Sequence, residues 1–172
     1  MSIFSIVGSI FKKKKKHKNK LPTVKCDVRK FLSENDVIKE LAPIKEKYSN
    51  LIFSDKAMVD SILSGFNLKI ANDSLKALNK DSTKADLLPP IHWLSSRCHY
   101  LHNSRRAISA GITYGEWVCI QGFCEGGKNK PSHQKLNGKK FSLKDGIKYR
   151  GITYYPGVEE DCGCFYKPIS PF

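Results

Sequence analysis

The last third of the chain carries an ordered set of aromatic, cysteine, histidine and turn residues that restricts how this part can fold. A β-branched and aromatic stretch over residues 112–120 predicts a strand. Asn137-Gly138 favours a tight turn and predicts a hairpin, and residues 147–155 predict a further strand that ends at Pro156-Gly157. In chain order the set is Trp117, Cys119, Cys124, Ser132, His133, Leu136, Asn137, Gly138, Lys139, Phe141, Pro156, Gly157, Asp161, Cys162 and Cys164.

Two close cysteine pairs in this segment predict a metal site. The charge near the start of the chain follows the first apolar residues instead of preceding them, which is not the pattern of a secretory signal. We therefore expect a reducing compartment, where free thiols are more common than disulfides. Cys119, Cys124, Cys162 and Cys164 would give zinc four thiolates, with His133 as an alternative ligand. The alternative interpretation is that these are reduced thiols buried in the core.

The same order of residues resembles the C-terminal domain of phage head morphogenesis proteins, the Mu F-like minor head proteins of tailed phages and prophages. The resemblance covers roughly residues 93 to 169 and includes an Asn-x-x-Arg element on a helix before the tryptophan strand. It implies that Leu136 and Phe141 point inward, that Gly138 forms a turn and that His133 hydrogen-bonds a loop. The residues that carry it are Asn103, Arg106, Trp117, His133, Leu136, Gly138, Lys139, Phe141, Pro156 and Asp161, together with the final Cys-x-Cys.

The function implied by this resemblance is structural. Members of the family are minor capsid components associated with the portal and in some cases with DNA. We therefore expect a non-enzymatic protein whose partners are phage portal or capsid proteins, in the virion or in the host cytoplasm during assembly. This chain is shorter than the longer members and lacks most of the long helical region that precedes their domain, so we expect a truncated or accessory version of the family.

The positive charge of the chain is concentrated at its start. Lys and Arg number 30 against 16 acidic residues, a net charge of +14. Residues 1–30 contain ten of these cations and a single acid, Asp27. Such a run repels itself, so we expect residues 1–32 to form a disordered arm that binds phosphate without base readout. The alternative is a solubilising tail. The lysines concerned are Lys12, Lys13, Lys14, Lys15, Lys16, Lys18 and Lys20.

The first eleven residues are apolar but too few to span a bilayer. Their apolar side chains recur at helical spacing, at Ile3, Phe4, Ile6, Val7, Ile10 and Phe11. A short amphipathic helix with a polybasic flank binds either an anionic membrane surface or a groove on a partner protein. We favour the partner because the resemblance implies an assembly protein.

The predicted fold class is α+β, with a helical N-terminal half followed by a small antiparallel sheet domain, cross-linked by zinc in one interpretation. Residues 33–89 form the helical region and residues 90–172 the Mu F-like domain. We expect helices capped by Ser33 and by Ser54 or Asp55, a third over 73–80, a connection over 80–90, and a long helix from Pro90 to Gly111.

Catalysis is not expected. His133 has no Asp/Glu pair nearby at a spacing that would hold magnesium, and the sequence lacks a phosphate-binding glycine loop and a Gly-x-Ser-x-Gly motif. We therefore expect no small-molecule substrate. Two other functions remain open: a small zinc-containing nucleic-acid-binding protein independent of any capsid, and a prophage-linked toxin or nuclease.

Overall fold

The computed structural model describes residues 27–120 and 133–171. The arm lysines, the apolar segment at the start of the chain and Cys124 lie outside the described residues. Helices precede strands, so the predicted α+β class is confirmed. The elements are a 3₁₀ helix at Val28–Lys30, α1 (Glu34–Lys47), α2 (Asp55–Leu63), α3 (Leu68–Leu78), α4 (Lys84–Ser109), β1 (Tyr114–Val118), a 3₁₀ helix at His133–Leu136, β2 (Lys140–Ser142), β3 (Ile147–Tyr149), β4 (Ile152–Tyr154) and β5 (Phe165–Ile169).

Side-chain caps fix where the helices begin. The Ser33 hydroxyl accepts from the Asp36 backbone N–H, and the Asp36 carboxylate accepts from the Ser33 backbone N–H at 2.9 Å. The predicted cap at Ser33 is therefore confirmed. Ser54 caps α2 in the same way by accepting from the Ala57 N–H. Pro43 lies inside α1 without dividing it.

The expected connection over residues 80–90 is wrong, because α4 begins six residues before Pro90. Thr83 and Asp86 form a reciprocal capping box that starts the helix at Lys84. Pro89 and Pro90 lie inside the helix, where each removes one backbone hydrogen bond. Burial of Leu87, Pro90 and Ile91 offsets that loss. The expected boundary between residues 89 and 90 therefore falls within one continuous helix.

The helices enclose the larger of two apolar clusters, here called the helical core. Met58 and Ile62 of α2, Leu75 of α3 and Leu94 and Cys98 of α4 are each at most 1% exposed. The third helix begins at Leu68, earlier than predicted. Short amphipathic helices of this kind are stabilised mainly by such burial of their apolar faces. None of the helices in the described ranges is both long and apolar enough to cross a bilayer.

An ion pair fastens the start of α1 to the end of α4. Arg105 donates from Nη1 to Asp36 Oδ2 at 2.6 Å and from Nη2 to Asp36 Oδ1 at 2.8 Å. The same guanidinium donates to the Phe31 carbonyl oxygen at 2.8 Å. Hydrogen bonding from Arg105 is the main reason that the pKa of the Asp36 carboxyl lies well below its usual range.

In the part of the chain that the structure describes, five short strands form two small sheets. One sheet has the order β2-β1-β5 and is antiparallel, with Trp117 opposite Tyr166. The other is the β3-β4 hairpin, whose turn places Arg150 at φ 51° and Gly151 at φ 79°. Two successive positive φ values are the signature of a two-residue type I′ turn. The single strand predicted over 147–155 is therefore wrong, since the chain reverses in its middle.

A second, smaller cluster, here called the sheet core, lies under these strands. Trp117 is fully buried, and Leu136 and Phe141 are 1% and 4% exposed. Gly138 occupies a turn at φ 74°, and its N–H donates to the Trp117 carbonyl oxygen at 2.8 Å. The inward positions of Leu136 and Phe141 and the turn at Gly138 are confirmed. The hairpin expected at Asn137-Gly138 is wrong, because a 3₁₀ helix precedes the turn.

The Asp36–Arg105 pair predicts an acid-dependent loss of stability. A carboxyl with a depressed pKa stabilises the fold above its unfolded pKa of about 3.9, and this contribution falls as the pH drops below that value. Asp36→Asn should lower the free energy of unfolding at pH 7 by about 1–2 kcal/mol, because Arg105 is partly exposed. Its stability should also vary less with pH below about 4. Urea unfolding at several pH values measures both effects. Asp81→Asn, at an exposed carboxyl, is the control; equal pH profiles for the two variants would contradict the assignment.

Candidate metal centre

His133, Cys162 and Cys164 converge at the edge of the sheet core. Cys162 Sγ lies 3.3 Å from His133 Nδ1, and Cys164 Sγ lies 3.8 Å from the same nitrogen. The three potential ligand atoms all lie within 4.8 Å of one another. His133 and Cys164 are buried and Cys162 is half-buried. This group of three is close enough to hold a metal ion.

The spacing of the three atoms fits a tetrahedral ion. Zinc–sulfur and zinc–nitrogen bonds of about 2.3 and 2.1 Å place sulfur and nitrogen about 3.6 Å apart around a tetrahedral centre. The two observed sulfur–nitrogen distances, 3.3 and 3.8 Å, lie on either side of that value. The donors are thiols and an imidazole, which soft or borderline ions prefer to hard ones.

The backbone of the cysteine loop, residues 155–164, is shaped to present both sulfur atoms. Asp161 adopts φ 57°, a left-handed conformation that Asp tolerates better than most residues, immediately before Cys162. Gly157 adopts φ 74°, and a Cβ added there would lie 3.0 Å from the Cys164 carbonyl oxygen. Position 157 therefore requires glycine for both its conformation and its contact with the second cysteine.

Hydrogen bonds at this loop favour the thiolate form of Cys162. They lower the pKa of the Cys162 thiol to about 4, chiefly through the Cys164 thiol and, more weakly, through His133 and the backbone N–H groups of Cys164 and Gly157. Burial opposes this effect. Thiolate is the form that binds metal. Cys98 behaves in the opposite way, since burial in the helical core raises the pKa of its thiol to about 12.

Aromatic rings hold the imidazole in place. The His133 ring meets Trp117 edge-to-face at a centroid distance of 5.5 Å and meets Tyr154 at 5.3 Å. His133 opens the 3₁₀ helix that ends at the buried Leu136. The histidine is thus fixed by β1, by β4 and by its own short helix, and Nδ1 is directed toward the two sulfur atoms.

The cysteine loop is also anchored on the helices. The Val158 carbonyl oxygen accepts from Trp93 Nε1 at 2.8 Å and from Arg97 Nη1 at 3.3 Å. Glu160 Oε1 accepts from the Tyr48 hydroxyl at 2.5 Å, and Glu160 is also ion-paired with Lys47. Contacts from α1 and α4 therefore position the loop before any metal binds.

The other two predicted thiolate ligands are Cys119 and Cys124. Cys119 is half-buried beside the sheet core, and its backbone N–H donates to Asn137 Oδ1 at 2.8 Å. It is not a member of the three-residue group, and Cys124 lies outside the described residues. His133, predicted only as an alternative ligand, is central to the group. The Ser-His pair in the sequence does not by itself indicate this role. The role depends on where the fold places the two cysteines, which are about thirty positions away.

The remaining residues of the family resemblance are divided between core and surface. Pro156 is buried, whereas Lys139 and Asp161 are exposed. Asn103 and Arg106 are exposed near the end of α4. The histidines of α4 take part in packing contacts: His99 stacks on Phe66 at a centroid distance of 3.6 Å. His102 is buried, with Nδ1 3.2 Å from Asn103 Oδ1.

Glycine at position 157 should be needed for both stability and metal binding. Gly157→Ala places a side chain at positive φ and against the Cys164 carbonyl oxygen, so unfolding should become easier by about 2–3 kcal/mol. Gly151→Ala is the matched control: its φ is +79°, but a Cβ there would contact nothing within 4 Å. It should cost about 1 kcal/mol. Urea unfolding and cobalt titration measure the two effects. Equal losses of stability, with metal affinity unchanged, would show that the contact with Cys164 is unimportant.

Comparisons of the chain with protein-family models, with curated proteins and with solved structures found no match.

Proposed function

We propose that this chain is a non-enzymatic minor head protein of a tailed phage or prophage, and that zinc cross-links its C-terminal part. The observation that carries the proposal is the convergence of His133, Cys162 and Cys164. These residues belong to two separate blocks of the order that resembles head morphogenesis proteins, the Ser-His block and the final Cys-x-Cys. The convergence of these two blocks gives a structural reason for the order of residues, because a metal ion bound there would close the sheet core.

Zinc suits this group of residues in both chemistry and position. Two thiolates and one imidazole are typical donors of structural zinc sites, which are closed and four-coordinate. Cys124, or Cys119 after a local adjustment, is the candidate for the fourth ligand. The donors are separated by about thirty residues, so a bound ion would close a long loop and restrict the unfolded chain. When bound, zinc would act here as a cross-link.

The sheet core explains why such a cross-link is useful. Counted over the described residues, it contains six buried side chains, against sixteen in the helical core. Its strands are three to five residues long. Small units with few apolar residues commonly depend on metals or disulfides for stability. A structural role for the metal therefore agrees with the size of the unit that it would hold together.

Zinc binding predicts a defined stoichiometry and a structural consequence. The purified chain should contain about one equivalent of zinc, and a chelator should unfold the sheet core while most helical signal persists. Cobalt substitution should give a thiolate charge-transfer band that Cys162→Ser and Cys164→Ser each weaken. Cys124→Ser and Cys119→Ser identify the fourth ligand. Cys98→Ala is the control, since it should lower stability without changing metal content. A metal-free protein that is folded and insensitive to chelator would refute this part of the proposal.

The basic arm favours a second task, the binding of nucleic acid. If five to seven of the lysines over residues 12–20 contact phosphates, the log–log salt slope on duplex DNA should be roughly −4 to −6, and affinity should not depend on sequence. Deletion of residues 1–20 should remove most of that slope. Vesicles of anionic lipid test the membrane alternative, in which Phe4 and Phe11 would be needed. If DNA affinity is unchanged by the deletion or flat with salt, the arm is a docking or solubilising tail.

The head assignment has its own test. Quantitative mass spectrometry of purified heads, from a phage or induced prophage that encodes this chain, should find it in few copies and should find it associated with the portal. Heads without the chain, combined with salt-dependent DNA binding and zinc in the isolated protein, would favour the capsid-independent nucleic-acid-binding function instead.

A further inference from the structure

A groove lies between the last turns of α4 and strand β5. Its volume is about 350 Å³, near the lower end of the range for ligand-binding pockets. Ala107, Ala110, Tyr166 and Pro168 form apolar parts of its lining, together with Ile112. Asn103 and Arg106, which the metal centre does not use, also line it. The groove thus combines an apolar surface with one amide and one guanidinium.

Within the described ranges, the backbone of β5 has hydrogen-bonding groups that do not pair with β1, at residues that line this groove. The Trp117 N–H donates to Lys139 O at 2.9 Å and its carbonyl oxygen accepts from Gly138, so the backbone groups of Trp117 point away from β5. Backbone directions alternate along an antiparallel strand. The residues of β1 that bond to β5 are therefore Glu116 and its alternate neighbours, and Glu116 lies opposite Lys167.

It follows that the backbone groups of Tyr166 and Pro168 point to the other side of β5. Within the described part of the chain, β5 is an edge strand, because the sheet order is β2-β1-β5. Proline has no N–H, so the open edge offers one donor, the Tyr166 N–H, and two acceptors, the carbonyl oxygens of Tyr166 and Pro168. Proline at such a position prevents indiscriminate pairing between sheets but still permits a specific partner strand.

The charge of the groove selects the kind of partner. Among the residues that the structure describes, none that lines the groove is acidic. Arg97 and Arg105, on the same helix, are ion-paired with Glu40 and Asp36, whereas no carboxylate within the described ranges pairs with Arg106. An exposed guanidinium beside an apolar groove is suited to a carboxylate, which it can bind through two parallel hydrogen bonds.

We propose that the α4–β5 groove binds an extended acidic peptide segment of a partner protein, which adds a strand to the open edge of β5 and places a carboxylate on Arg106. Strand addition gives affinity through backbone hydrogen bonds. The groove gives specificity by contacting every second side chain of the peptide. The position of β5 at the edge of the described sheet favours a peptide over nucleic acid, since a phosphate backbone cannot continue the hydrogen-bond ladder of a sheet. The inference rests on the proposed function only in taking the partner to be a component of the head.

Fluorescence anisotropy with the full chain tests the proposal, using labelled Glu-Val-Glu-Val-Glu-Val as the probe. The basic arm attracts any acidic peptide, so the decisive comparison is between variants with equal charge change. Arg106→Glu should weaken binding at least about tenfold, the loss expected for one charge-assisted contact. Lys148→Glu, on the separate β3-β4 sheet, should change it less than about twofold, since exposed charges at a distance contribute little.

Two further measurements do not depend on a protein variant. Peptides N-methylated at every Glu or at every Val keep their charge but lose alternate N–H donors, and at least one of the two should lose binding. Hydrogen exchange of the Tyr166 amide should slow when the unmodified peptide saturates the chain.

Four outcomes would overturn the inference. The two charge variants could weaken binding equally, or both methylated peptides could bind as well as the unmodified one. The chain could fail to bind the peptide up to about 1 mM while Tyr166 exchange stays unchanged, or it could bind an oligonucleotide in preference to the peptide in a way that depends on Arg106. None of these readouts depends on zinc content or on the presence of the chain in heads. Failure here is therefore distinguishable from failure of the proposed function.

Discussion

One helix, α4, contributes to both apolar clusters, and the arrangement of the rest of the molecule depends on it. Its first half supplies Leu94 and Cys98 to the helical core, and its second half packs Tyr100 and Ala107 against the sheet core. The Tyr100 hydroxyl donates to the Leu143 carbonyl oxygen at 2.8 Å, which ties the helix to the segment after β2. Because α4 is continuous across residue 90, the two halves of the chain are held in a fixed relation.

The cysteine loop makes use of this fixed relation. Trp93 and Arg97 of α4 donate to the Val158 carbonyl oxygen, and Tyr48, the residue that follows α1, donates to Glu160. A metal ion at His133 would connect the same loop to the 3₁₀ helix after β1. The loop is therefore attached on one side by hydrogen bonds to the helices, and a bound metal ion would attach it on the other. Loss of such an ion would release only the second attachment, so we expect it to affect the sheet core more than the helical core.

Local sequence signals predicted the parts of the fold that depend on interactions between residues close in sequence. The caps at Ser33 and Ser54, the turn at Gly138 and the inward positions of Leu136 and Phe141 follow from residue types at fixed spacing. The start of α4 was mispredicted because a proline pair looks like a helix break. The Thr83–Asp86 capping box and the burial of Pro90 outweigh that signal.

The metal group could be predicted only in part, for a related reason. Spacing identified Cys162 and Cys164 as a pair, since a Cys-x-Cys places two sulfur atoms on one loop. Which third residue joins them depends on how β1, β4 and β5 meet, and on the rings of Trp117 and Tyr154 that orient His133. Such contacts join residues far apart in sequence. A pattern of residue types does not contain that information.

The distribution of charge separates the cations that hold the fold together from those available to partners. Arg97 and Arg105 lie on the inner side of α4, and each is paired with a carboxylate of α1. Because these pairs are intramolecular, they add little to the attraction between the chain and an anion in solution. The arm lysines and Arg106 differ in local setting: the first are a dense run of lysines in the sequence, and the second is a single guanidinium beside an apolar groove. A dense run attracts any polyanion, whereas a single charge next to shaped apolar surface discriminates among its ligands. The two features therefore suit two different kinds of ligand.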